Sequence, residues 1–143
     1  MGVPKTPLLA TDAVIIDPKT KKIVLIKRAN EPFKDHYALP GGFVEVGETV
    51  ENACIREAKE ETSLDVEIIE LVGVFSDPNR DPRGHVVSIA FLCIPKGGEL
   101  KASSDAKKAE WISISEISKI KLAFDHDKII SKAIEIAKNK GIL

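Results

Sequence analysis

Between Gly42 and Leu64 the chain gathers carboxylates: Glu45, Glu48, Glu51, Glu57, Glu60 and Glu61 stand against two bases, Arg56 and Lys59. Thr49 reads as an N-cap, so the stretch from there to about Ser63 is predicted to be helical. Wound at about 100° per residue with Glu57 at 0°, Val50 lies near +20°, Ala53 near −40°, Cys54 near +60° and Leu64 near −20°. That stripe should face the core. Glu60, at about −60°, and Glu61, at about +40°, fall on it beside Glu57. A glutamate-rich helix is ordinarily a solvated face. A solvated face would lie opposite Ala53 and Cys54, where Ile55 and Lys59 fall instead. Like charges at i,i+3 and i,i+4 repel by about 0.2–0.5 kcal/mol each, and partial burial raises that cost. Arg56 pairs with Glu60 at i,i+4, but it is one cation among Glu57, Glu60 and Glu61. A divalent cation offsets the charge better. Mg²⁺ takes oxygen ligands and prefers sites shared with substrate phosphates. Leu39-Pro40-Gly41-Gly42 precedes the helix, and its two glycines would let a main-chain carbonyl approach such an ion.

The elements that must hold this helix are legible from periodicity and turn residues. The apolar, β-branched run from Leu9 to Ile16 predicts a strand, Asp17-Pro18-Lys19-Thr20 a turn, and Ile23 to Lys27 a second strand of the same hairpin. Asn30 to His36 is a polar loop. Pro40-Gly41-Gly42 marks a sharp backbone feature within Ala38 to Glu45. Val66 to Phe75 is strand-like. Val86 to Ile94 is so uniformly apolar that a central, doubly buried strand is expected. Glu110 to Ile112 predicts a short strand and Ser115 to Ile120 a short helix. Asp125 to Asn139 predicts a long helix burying Ile129, Ile130, Ala133, Ile134 and Ala137, with Gly141 as its C-cap. Strands mixed with two helices point to an α+β fold with helices on both faces of a mixed sheet.

The 143 residues fit one domain with one core, so residues 1–143 are expected to form a single unit. The formal charge of −1 supplies no basic field for nucleic acid. No apolar run approaches the roughly 20 residues of a membrane span. The first eleven residues lack the regions of a secretory signal, so a cytoplasmic protein is expected. Cys54 and Cys93 match no zinc spacing and read as small buried side chains.

Gly42, five residues, Glu48, seven residues and then Arg56-Glu57-Ala58-Lys59-Glu60-Glu61-Thr62-Ser63-Leu64 resemble the Nudix signature G-x5-E-x7-R-E-U-x-E-E-x-G-U, with U apolar. Every charged position is present. Ala58 is small but apolar, and Ser63 replaces a glycine at the helix exit. The resemblance implies an α/β/α sandwich with a mixed sheet, and hydrolysis of a nucleoside diphosphate linked to another moiety. It implies Mg²⁺, or Mn²⁺, on Glu57, Glu60 and Glu61 with the carbonyl of Gly41, and Glu48 and Arg56 orienting the helix. For the general base it leaves two candidates, Glu57 and the more distant Glu110.

The loop Ser76-Asp77-Pro78-Asn79-Arg80-Asp81-Pro82-Arg83-Gly84-His85, and later Leu122-Ala123-Phe124-Asp125-His126, resemble the ADP-ribose pyrophosphatase group of that family. Arg80 and Arg83 offer planar donors for phosphate, Arg28 leaves the second strand toward the same place, Phe33 or Tyr37 would contact a base, and Phe124 would close the pocket. The resemblance therefore implies a nucleotide-sugar substrate, ADP-ribose cleaved to AMP and ribose 5-phosphate, and a homodimer. Two other readings keep the same helix: a nucleoside-triphosphate pyrophosphatase, which needs no arginine loop, and a non-catalytic nucleotide sensor, a class that often loses these glutamates.

Overall fold

Strand β1 (Leu8–Asp17) sends alternate side chains to opposite faces, as its period of two requires. Ala13 and Ile15 enter one hydrophobic cluster, Val14 and Ile16 the other. The same alternation runs through β2 (Lys22–Lys27) and β6 (Val86–Gly97), where Val24, Phe91 and Cys93 face one way and Ile23, Leu25 and Leu92 the other. The computed structural model that shows this describes residues 2–101 and 108–143.

Helix α1 (Val50–Thr62) covers the first face through Cys54 and Ala58. Helix α2 (His126–Asn139) covers the second through Ile129, Ile130, Ala133 and Ala137, with Ile134 only half-buried. The expected α/β/α sandwich is thus the arrangement observed. No helix among the described residues is long and apolar enough to cross a membrane.

The sheet is mixed. β6 runs parallel to β1 from Leu8↔Val86 to Ile15↔Cys93 and antiparallel to β5 (Asp65–Phe75), which makes it the central strand its apolar run predicts. The other edge of β1 is shared. Its start pairs with β4 (Gly41–Phe43) at Ala10, Thr11 and Asp12, and its end pairs with β2 at Ile16 and Asp17. β2 in turn pairs near its end with β3 (Tyr37–Ala38), and along its far edge with β7 (Lys108–Ser113). β1 and β2 therefore part after the hairpin, and the Tyr37–Phe43 segment is wedged into the fork. The predicted short helix after β7 is a 3₁₀ turn over Ile114–Lys119.

The Thr49 hydroxyl caps α1, accepting from the Asn52 N–H at 3.1 Å. The buried stripe is rotated from the predicted one. It comprises Ala53, Cys54, Ala58 and Thr62, the last two at about +100° and +140° on the scale above. Thr62 tolerates burial because its hydroxyl donates to the Ala58 carbonyl at 2.6 Å and accepts from the Leu64 N–H at 3.1 Å. Glu57 and Glu61, at 0° and about +40°, lie within the true stripe, and Glu60 lies outside it with its side chain 59% exposed. The expectation that all three glutamates share the core face is corrected to two.

Ser63 adopts the left-handed conformation, φ 65°, where its N–H donates to the Lys59 carbonyl. The exit geometry of a glycine is kept by a residue with a Cβ, at a cost of about 1 kcal/mol. Ser63→Gly should accordingly stabilise the protein by about 0.5–1 kcal/mol in urea unfolding. A destabilised Ser63→Gly variant would mean that the hydroxyl, 3.5 Å from the Lys101 carbonyl, matters more than the backbone.

Candidate active site

Arg56 is the centre of the acidic stretch. Its Nε and Nη2 grip both oxygens of Glu48 at 2.6 and 2.9 Å, a bidentate fork. Nη1 donates to Glu57 at 2.8 Å and to Glu60 at 3.3 Å, and Nη2 also reaches the Phe43 carbonyl at 3.0 Å. The hydrogen bonds from Arg56, and then the Glu45 N–H, hold the Glu48 carboxyl down to about 2. The Glu48 bond in turn lifts the Arg56 guanidinium above its ordinary value. One cation thereby ties β4, the loop before α1 and two glutamates of the helix into one unit.

Both glycines of the wedge are required by close approach. A Cβ on Gly42 would stand 2.4 Å from the Glu57 carboxyl carbon. On Gly41 it would meet the Thr11 carbonyl at 2.2 Å and Asp12 Oδ1 at 2.7 Å. The main chain of Gly41 and Gly42 is thus pressed between β1 and the carboxylate of Glu57 (Thr11↔Gly42, Asp12↔Gly41).

Where the sheet forks, a cleft of about 410 Å³ opens, and Glu61, Gly41, Gly42, Arg28, Arg83 and Phe124 are among the residues lining it. Phe124, at φ 54°, carries two guanidiniums over its ring, Arg28 at 5.0 Å and Arg83 at 5.4 Å from the centroid. Burial, then the charge of Arg83, lowers the pKa of Arg28. Two cations that repel one another at a cleft wall are a site that an anion would relieve. Arg83 is half-exposed and pairs with buried Asp81 at 2.8 Å. Burial alone would raise the Asp81 pKa, but the bonds from Arg83 outweigh it and lower the value.

Other expected residues stand elsewhere. Arg80 borders the cleft, but its side chain is 5% exposed and its fork is occupied by Asp125, at 2.6 and 2.9 Å. Burial opposes its charge, and the Asp125 bonds overcome that penalty and raise its pKa. A buried guanidinium needs such a partner, so Arg80 fastens the loop to the start of α2 and offers no free fork to a phosphate. Tyr37 and Glu110 lie outside the cleft lining. The Tyr37 hydroxyl donates to the Glu110 carboxylate, which raises the Tyr37 pKa. Glu110 sits on β7 opposite Leu25. Phe33 is one layer back, its ring edge-on to Phe124 at 4.9 Å.

The sequence reading missed Asp12, Ser88 and His126 as site residues. Asp12 is an 8%-exposed acid in an apolar strand, and that incongruity was the available signal. Ser88 donates to its Oδ2, while His126 Nε2 lies 3.6 Å from its Oδ1. Ser88 is bonded to the carboxylate, so these residues do not form a nucleophilic serine arrangement.

The glutamates suit a hard cation by donor type. Thr11 Oγ1, buried and paired in register with Gly42, has no hydrogen-bond partner among the described residues, and the space beside Glu57 excludes a Cβ. This is a polar cradle of carboxylate and main-chain oxygens, which fits Mg²⁺. With the side chains as they stand, no three His, Cys, Asp or Glu among the described residues converge on a metal position. Glu57 and Glu60 are turned to Arg56 instead.

An α/β/α sandwich with a forked mixed sheet, and a glutamate helix bordering the fork, defines the class. The NUDIX domain model matches residues 6–133, and the chain belongs to the Nudix family. An ADP-ribose pyrophosphatase of Methanocaldococcus jannaschii is 57% identical over 87% of this chain and 71% of its own length. The ADPR-responsive transcriptional repressor NtrR of Acinetobacter baylyi is 33% identical over 94% of this chain, which spans 56% of that repressor. Among solved structures, the Nudix domain of Shewanella oneidensis NrtR in complex with ADP ribose superposes with a TM-score of 0.82, at 28% identity, over 92% of this chain and 88% of that one.

Two variants test the site geometry. Gly42→Ala should abolish most turnover with the circular dichroism of the fold retained, because its Cβ displaces Glu57; unchanged activity would refute the close approach. Glu48 has a folded pKa below its ordinary 4.5, so its stabilisation is complete above about pH 4.5 and is lost as pH falls toward about 2. Wild-type protein should therefore exceed Glu48→Gln in melting temperature at pH 6–7 (approximate values), with the gap closing below about pH 4.5. A gap independent of pH would contradict the Arg56 fork.

Proposed function

We propose that this chain, as a single Nudix domain of residues 1–143, hydrolyses ADP-ribose to AMP and ribose 5-phosphate with Mg²⁺. One observation carries the reading. Glu61 of the signature helix and the Arg28–Phe124–Arg83 stack line the same cleft. Similarity to the M. jannaschii pyrophosphatase and to the ADP-ribose-bound NrtR domain supports the choice of substrate.

Glu57, Glu60 and Glu61, with the carbonyl of Gly41, would hold Mg²⁺; Mn²⁺ suits the same oxygens. When bound, the ion supplies charge for the phosphates and acidity for a water. Arg28 and Arg83 take the diphosphate, because an anion beside them offsets their mutual repulsion. Phe124, braced by Phe33, holds these two guanidiniums at the cleft wall. Water activation falls to the α1 carboxylates, Glu57 first, since Glu110 already accepts the Tyr37 hydroxyl. The water gives a proton to the Glu57 carboxylate as its oxygen bonds to one phosphorus, the bridging P–O bond breaks, and the bond's electron pair leaves on the oxygen of the other phosphate. Arg56 and Glu48 hold the helix in register throughout. A cytoplasmic setting belongs to the same proposal, and the unpaired thiols of buried Cys54 and Cys93 accord with a reducing compartment. So does a homodimer, which would cover exposed Leu71 and Val74.

A sensor reading draws on the likeness to a repressor. The complete glutamate set and its Arg56 frame favour hydrolysis. Purified protein with Mg²⁺ should turn over ADP-ribose in preference to nucleoside triphosphates. Glu60→Gln and Glu61→Gln should lose more than the roughly 10–100-fold that outer-shell partners cost, with ADP-ribose still bound in calorimetry. Strong turnover of a triphosphate without ADP-ribose cleavage would select the nucleotide-pool reading. Binding without any turnover in the wild type would select the sensor.

A further inference from the structure

The Leu39–Gly42 main chain is steered by a side chain far away in sequence. Leu39 N–H donates to Nδ1 of His126 at 3.0 Å, a contact between residues 87 positions apart. Pro40 has no N–H, so this is the last donor before Gly41. The Pro40 carbonyl accepts from the Ala13 N–H at 2.9 Å, and Gly41 then enters the β1 register opposite Asp12. Nδ1 accepts, so the proton of the neutral ring is on Nε2, and Nε2 faces Asp12 Oδ1 at 3.6 Å. Asp12 is fixed in turn by the Ser88 hydroxyl on its other oxygen, and its Oδ1 abuts the site where a Gly41 Cβ would sit. His126 is 4% exposed and opens α2, whose preceding residue Asp125 is gripped by Arg80.

We infer that His126, oriented by Asp12, is a positioning residue for the catalytic main chain: it sets Leu39, and through it the Gly41 carbonyl, from the opposite face of the sheet. The cation-binding role of Gly41 rests on the function proposed above; the His126 linkage does not. α2, which carries no signature residue, thereby becomes a determinant of how firmly the cation site is built. Packing alone would make every small or polar replacement of a buried histidine similarly harmful. The hydrogen-bond linkage instead predicts a graded series, because an asparagine oxygen can take the place of Nδ1 and a glutamine amide takes that of Nε2.

The test uses His126→Ala, His126→Asn and His126→Gln in the full chain. Three readouts are needed: direct Mn²⁺ binding by electron paramagnetic resonance, amide exchange of Leu39 by NMR, and kcat and KM for ADP-ribose. Alanine and glutamine should weaken Mn²⁺ binding and lower kcat by roughly 10–100-fold, as outer-shell partners do. KM should stay within about threefold of wild type if ground-state binding is left uniform. Leu39 exchange should accelerate in both. Asparagine should recover most of the Mn²⁺ affinity and the Leu39 protection. Equal loss in asparagine and glutamine, or wild-type Mn²⁺ affinity in all three, would overturn the inference. If alanine fails to fold, the asparagine–glutamine comparison still decides. Wild-type protein that binds no Mn²⁺ dependent on Glu61 would sink the functional reading instead, and Leu39 exchange would then judge the linkage by itself.

Discussion

Clustering carboxylates on one helix creates a repulsion that the rest of the molecule is arranged to manage, and Arg56 is where it is managed. Its guanidinium binds Glu48 with a bidentate fork while touching Glu57 and Glu60. Lysine, a point charge, could not span these partners in one plane. The arrangement leaves the acids under-neutralised, since one cation serves several anions. A divalent ion, as proposed above, would complete the neutralisation.

The sheet supplies the second constraint. β1 and β2 are neighbours at their hairpin and separate beyond it, so a wedge of main chain from Tyr37 to Phe43 enters between them. Only glycine fits where this wedge meets Asp12 and Glu57. The fork brings together what the chain order keeps apart: the signature helix from one face, and the Arg80–His85 loop and the start of α2 from the other. Arg80 and Asp125 join those two segments, and Phe124 is left at the cleft wall beneath the guanidiniums of Arg28 and Arg83.

What the sequence disclosed was local. Helix α1, its Thr49 cap, the β1–β2 hairpin and the doubly buried β6 follow from periodicity and capping chemistry within short windows. Glu60 falls off the buried stripe because Val50 and Leu64, which anchor the angle read from sequence, lie at or beyond the helix ends. Thr62 joins that stripe although polar, because it buries by bonding back to Ala58. Long-range pairings were not legible. Tyr37 and Glu110 each read as a site residue, yet their 73-residue separation conceals that they satisfy one another. Arg80 looked like a phosphate donor because nothing in its own loop shows that Asp125 occupies its fork. Asp12 was the reverse case, a buried acid whose partners Ser88 and His126 are supplied by other elements.

In the proposed complex a divalent cation sits against α1 and the glycine wedge while a diphosphate lies beside Arg28 and Arg83. A crystal structure with Mn²⁺ and a non-hydrolysable ADP-ribose analogue tests it most directly, through the anomalous signal of the ion. The expected result is a peak about 2.1 Å from carboxylate oxygens of Glu57 or Glu61 and from the Gly41 carbonyl, with Glu60 turned away from Arg56 and the diphosphate beside Arg28 and Arg83. An ion lodged away from α1, or an analogue bound with no ion and the Arg56 contacts unchanged, would contradict it.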